Sequence, residues 1–184
     1  MMNRFVSQPR ISLLAAILLC LMSGASAETP EAFATKYFNT IKKDGMKASL
    51  QFLDKGEVQR FGEMLLEALA AAEKAKVGDV LFGGIETVAE LKKLPMERIC
   101  EKFLRAAERT MPGMDVALRE TSFRVIGHVP DGALTYVLVK ASHPKGDEVI
   151  EVLPLIGKDG NYAAMLNVDT VRILNRMKHQ FDTK

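Results

Sequence analysis

The chain has 184 residues, 48% of them apolar, with 25 lysines and arginines against 23 aspartates and glutamates, two cysteines and no tryptophan. That composition excludes a disordered chain, a collagen-like repeat and a disulfide-stapled miniprotein. The near balance of charge argues against nucleic acid as a partner, which would require a basic excess to displace counterions from phosphates.

The first segment reads as an address rather than as fold. Arg4 and Arg10 flank the start of an apolar run from Ile11 to Met22, and Ala25-Ser26-Ala27 supplies the small residues of a cleavage site, the pattern of a secretory signal peptide. The run falls short of the ~18 residues a spanning helix needs. Residues 1–27 are therefore expected to be removed, leaving 28–184 as a single periplasmic or secreted domain without a membrane anchor. Loss of Arg4 and Arg10 would leave 23 basic residues against 23 acidic ones. Cys20 would leave with the signal, so Cys100 alone would remain and no intrachain disulfide could form.

The remainder divides into a helical half and a strand half. Thr29 is a candidate N-cap, Pro30 a first-turn residue, and Phe33, Tyr37, Phe38 and Ile41 recur at helical spacing, which predicts a helix from about Pro30 to Lys43 ended by Gly45. A short second helix is expected over Met46 to Leu53, then a turn at Asp54-Lys55-Gly56. The alanine-rich stretch Glu57 to Ala75 predicts a long helix with Phe61, Leu65, Ala68, Leu69 and Ala72 on one stripe. Val80-Leu81-Phe82, bracketed by glycines, forms an apolar insert that either tucks into the core or covers a ligand or partner surface. Thr87-Val88-Ala89-Glu90 has capping-box spacing. Pro95 starts a further helix with Ile99, Cys100 and Phe103 inward and a charged face from Glu97 to Glu108, which Pro112-Gly113 ends.

From Val116 onward the period shifts towards two. Val129-Pro130-Asp131-Gly132-Ala133 predicts a three-residue hairpin loop. In that register Val125 faces Val137 and Phe123 faces Val139 on an apolar surface, while His128, Ile126 and Tyr136 share the opposite one. Further turns at Pro144-Lys145-Gly146-Asp147 and Lys158-Asp159-Gly160 give four antiparallel strands in a meander. Pro154, which cannot donate to a ladder, should lie at an edge or beside a bulge. Asp169 should cap a final helix, Val171 to Lys178. The fold class is α+β: N-terminal helices packed on a curved four-stranded antiparallel meander, with a C-terminal helix.

Three stretches of the sequence suggest a family. They are Pro30-Glu31-Ala32-Phe33 ahead of Tyr37-Phe38, Val125-Ile126-Gly127-His128-Val129 running through Asp131-Gly132 into Leu134-Thr135-Tyr136-Val137-Leu138-Val139, and Lys158-Asp159-Gly160-Asn161-Tyr162. With the order of elements, they resemble exported bacterial proteins of the NTF2-like, cone-shaped α+β superfamily, over roughly residues 30 to 167. The resemblance implies helices closing over a strongly bent sheet, and sheets that pair back to back in dimers.

Several chemistries lack their residues. Residues 28–184 hold three histidines and one cysteine, widely spaced, which make no zinc-finger or HExxH set, and there is no GxSxG, GxxxxGK[ST] or strand-following GxGxxG; no metal or cofactor is expected. Cys100 is either a thiolate nucleophile or, on its apolar stripe, a buried inert hydrophobe. His128, Tyr136 and Arg124 either line a cavity under the helices, with His128 as acid or base and Tyr136 as hydrogen-bond donor, or belong to a solvated face. Tyr37 is either a rim residue or core. His143 and His179 are expected in solvent. Three functions remain: a domain binding a small apolar or amphipathic ligand or an envelope protein, a metal-independent lyase, isomerase or hydrolase built on His128 and Tyr136, and a structural module that forms a homodimer.

Overall fold

The computed structural model describes residues 27–74, 87–111, 113–144, 146, 148–158 and 160–182. Residues 1–26 of the expected signal lie outside the described residues, as do Val80-Leu81-Phe82, Pro112, and the turn residues Lys145, Asp147 and Asp159.

Helix α1 (Pro30–Asp44) begins where its cap places it: Thr29 Oγ1 accepts the Ala32 N–H at 3.1 Å, and Gly45, at φ +83°, ends it with its N–H on the Ile41 carbonyl. The residues expected to form a second α-helix wind more tightly, as a 3₁₀ helix (Met46–Phe52). Helix α2 (Lys55–Lys74) starts before Glu57, because the Asp54 carboxylate accepts the Gly56 N–H at 2.7 Å and turns the expected loop into the first turn. Both halves of the predicted capping box form at Thr87 and Glu90, opening α3 (Val88–Leu91). Pro95 serves as N-cap to α4 (Met96–Thr110). Glu108, expected on a solvated face, instead accepts the Met46 N–H.

The helical half does not end at Gly113. That glycine, at φ +84°, restarts the chain into α5 (Met114–Glu120), so Val116 is helical and the strands begin six residues later. Ala117, Leu118, Arg119 and Glu120 are strong helix formers, and together they outweigh one β-branched residue.

Strands β1 (Ser122–Asp131), β2 (Leu134–Ser142), β3 (Glu148–Lys158) and β4 (Asn161–Ala164) pair antiparallel in the order β1-β2-β3-β4, the expected meander, and the sheet stays open. Helix α6 (Val168–Asp182) is capped by Asn167, whose Oδ1 accepts the Asp169 N–H at 2.8 Å, and not by Asp169. The architecture is α+β, with helices first, an open antiparallel sheet, and a helix last.

The hairpin register differs from the expectation. Asp131 pairs with Leu134, so the loop has two residues, Gly132 and Ala133, with Gly132 at φ +61° in the position that such turns reserve for positive φ. Ile126 is then an extra residue: Val125 pairs with Val139 but Gly127 with Leu138, a β-bulge. Pro154 lies in an interior strand with no bulge. Its carbonyl accepts the Met165 N–H at 2.9 Å, so its missing N–H points to the side where the β4 ladder stops at Ala164.

Two packing layers share the core. Phe33 and Ala34 of α1, with Phe52, press on Val137, Val139, Leu153, Leu155 and Ala164 of the sheet. Helices α2, α4 and α6 pack mainly on one another through Phe61, Leu65, Cys100, Leu104 and Leu174. The layers are joined at the end of the 3₁₀ helix, where Asp54 N–H reaches the Ala164 carbonyl at 3.0 Å, and where Glu57 accepts the Leu166 N–H at 3.0 Å.

The β3–β4 turn supplies a stability test. Gly157 has φ +124°, and a Cβ built there would lie 1.9 Å from the Asn161 carbonyl oxygen. Gly157→Ala should therefore cost more than about 2 kcal/mol in urea unfolding, whereas Gly127→Ala, where the added carbon meets nothing within 4 Å, should stay within about 1 kcal/mol. Equal effects at the two sites would contradict this account of the turn.

Candidate functional site

The residues singled out from sequence do not assemble into one site. Directly paired residues project to the same side of a sheet, so His128, opposite the fully buried Val137, points to the helix side, whereas Tyr136, opposite the exposed Val129, points away from it. The bulge at Ile126 is the cause, since one extra residue reverses the facing of everything that follows it in β1. Arg124 pairs with Lys140 on the outer side, and Lys140 in turn holds Glu148 at 2.6 Å. The expected His128–Tyr136–Arg124 surface is thus divided between two faces.

His128 has a structural partner instead. Its Nδ1 donates to the Glu31 carboxylate, joining the outer edge of the sheet to the first turn of α1. That hydrogen bond, helped by the backbone and by the charge of the ring, holds the Glu31 carboxyl below the usual carboxylate range against the opposing effect of desolvation. Both side chains are more than a third exposed. His143, expected in solvent, is half-buried with Nε2 3.9 Å from Glu120, and His179 is exposed on α6. Cys100 is fully buried, its Sγ 3.6 Å from the Val58 carbonyl, and burial pushes its thiol up to about 12; the chemistry is that of an inert core residue.

Tyr37 is the candidate that reaches a concavity. Helix α1, through Phe33, and the 3₁₀ helix, through Phe52, cover the sheet, and the contacts of α1 are mainly with β1 and β2. Between α1, α5 and the start of β3 lies a groove with two adjoining lobes of about 390 Å³ each. Both lobes are lined by Tyr37, Phe38, Ile41, Leu118 and Glu151. One extends towards Phe61, Leu104 and Met165, the other towards Phe123, Ala141 and His143. Tyr37 and Phe38 meet edge to face at 5.1 Å, and Phe38 stacks on Phe123 at 4.6 Å, which fixes the aromatic wall. Burial pushes the Tyr37 phenol up to about 12, so it remains a neutral hydroxyl at any physiological pH.

Glu151 is the groove residue that sequence reasoning missed. It pairs with the buried Val139 and therefore lies on the helix side of β3, in the same row as Leu153 and Leu155. The signal was present in the sequence: a row otherwise filled by Val149, Leu153 and Leu155 carries one carboxylate. Among the described residues no group of His, Cys, Asp and Glu could hold a metal ion, and no helix is long and apolar enough to cross a membrane. No family model, curated protein or solved structure matches this chain.

The His128–Glu31 pair has a predicted pH signature. Glu31 titrates lower in the folded chain than in the unfolded one, so its contribution is complete above the unfolded carboxyl range and is lost as pH falls through the lower native value. His128→Ala should cost at most about 1 kcal/mol near neutrality, as exposed pairs do. The gap from wild type in urea midpoints should close on acidification, and a gap that widened in acid would rule the pairing out as its source.

Proposed function

We propose that this chain is an exported ligand-binding domain of NTF2-like type, which takes a small apolar or amphipathic molecule in the groove between α1, α5 and β3. The observation that carries the reading is the groove itself: two joined lobes of about 390 Å³, walled by Tyr37, Phe38, Ile41 and Leu118, a size and lining that suit small ligands. Export is supported by the residues of the first segment, and the family by the order of elements together with the three stretches of sequence named above. A catalytic reading built on His128 and Tyr136 loses its basis, because the two side chains project to opposite sides of the sheet.

The groove is testable with a neutral, environment-sensitive naphthylamine dye. The dye should bind with a stoichiometry of one and brighten on entering the groove, and Leu118→Trp should fill the space and abolish binding with an unchanged circular dichroism spectrum. Since the chain has no tryptophan, the same variant reports on its own burial by emission wavelength. Dye binding that survives the filled groove would refute the location.

A second reading concerns the outer face of the sheet. Ile126, Val129, Ile150, Val152 and Ile156 are all exposed there, and together they present on the order of 400 Å² of apolar surface, the size at which a patch signals association. The matching occupant is a second copy of the same face, giving a homodimer. Sedimentation at micromolar concentration should show the dimer, and Ile150→Glu should return it to the monomer; a wild-type monomer under those conditions removes this reading.

A further inference from the structure

We infer that the molecule taken by the groove carries a cationic amine, and that Glu151 is its counter-ion. This rests on the ligand-binding reading above and adds the charge of the ligand to it. Glu151 lies at the junction of the two lobes, half-buried, on the side of β3 that faces the helices. Among the described residues no hydrogen bond or ion pair engages its carboxylate, although those of Glu31, Glu57, Glu101 and Glu108 each have a partner. Among the described residues the other ionisable side chain of the lobes besides Tyr37 is His143, which is set against Glu120. An unpaired anion in an apolar recess is costly unless something cationic meets it. The aromatic side chains of Tyr37 and Phe38 line the same lobes, and aromatic rings attract the same kind of group.

The competing possibility is an amphiphile with an anionic head, because Lys42, Lys43, Lys47, Arg109 and Arg119 line a neighbouring recess. Four of those five cations already have an electrostatic role. Lys42 and Lys43 fall in the last turn of α1, Arg109 in that of α4 and Arg119 in that of α5, where each offsets the negative end of its helix. Lys42 also donates to the Thr121 carbonyl at 2.7 Å, and Asp44 and Glu108 lie in the same recess. Among the described residues no such compensation reaches Glu151, so the geometry favours the amine.

Displacement of the naphthylamine dye by decylammonium, decanol and decanoate tests the charge separately from the groove. Decylammonium should compete at least about ten-fold better than decanol, the factor expected of one charge-assisted hydrogen bond, and decanoate should compete worst. Glu151→Gln should bring decylammonium and decanol level, and an unchanged circular dichroism spectrum shows that the variant is folded. Equal displacement by all three in the wild type overturns the amine and leaves the groove standing. Better competition by decanoate overturns the amine in favour of the basic recess, and no displacement by any of them overturns both readings.

Discussion

The seam between α1 and the sheet is the constraint on which the molecule turns. Phe33 meets Phe52 edge to face at 5.6 Å, and around that contact Val137, Val139 and Leu155 lose all exposure. Burial of three such side chains contributes on the order of 5 kcal/mol or more, so the position of α1 across β1 and β2 is firmly held. The long helices cannot share the task, because α2, α4 and α6 bury their apolar stripes against one another. A sheet with one principal covering helix is left incompletely covered on that side and bare on the other. The groove beside Glu151 and the exposed outer face both follow from that division.

Much of the backbone was legible because local chemistry decides it. The Thr29 cap, the Thr87–Glu90 capping box and the break at Gly45 each satisfy or release particular backbone groups, and all of them form as read. Competition between two adequate local solutions was harder to read. Asp54 suits a turn or a helix cap, and Gly132 suits the last position of a three-residue loop or the first of a two-residue loop. In both places long-range pairing chose: the Asp54 N–H is needed at the Ala164 carbonyl, and Leu134 is needed opposite Ile156 and Asp131.

The site was less legible than the fold for a geometric reason. A face assignment in a strand has period two, so a single inserted residue inverts it. Ile126 is that residue, and it separates His128 from Tyr136 without leaving any mark in composition or spacing. Gly127 beside it is a weak pointer, since glycine within a strand often marks a bulge. Tyr37, read as either rim or core, has features of both: its ring packs on Phe52 at 5.5 Å and the residue also lines the groove.

Glu151 shows what a sequence can reveal when the alternation is followed strand by strand. In β3 the helix-side row reads Val149, Glu151, Leu153, Leu155, and packing alone would favour a branched aliphatic at the second place. Such a residue would add apolar surface beside Phe38 and Leu118, which line the same lobes, and its burial would stabilise the folded chain. A sequence whose caps, turns and stripes otherwise agree with its fold departs from that agreement here, at the junction of the two lobes, and departures of this kind concentrate where a ligand is met. The proposed ligand would account for the carboxylate, which the packing of the sheet does not.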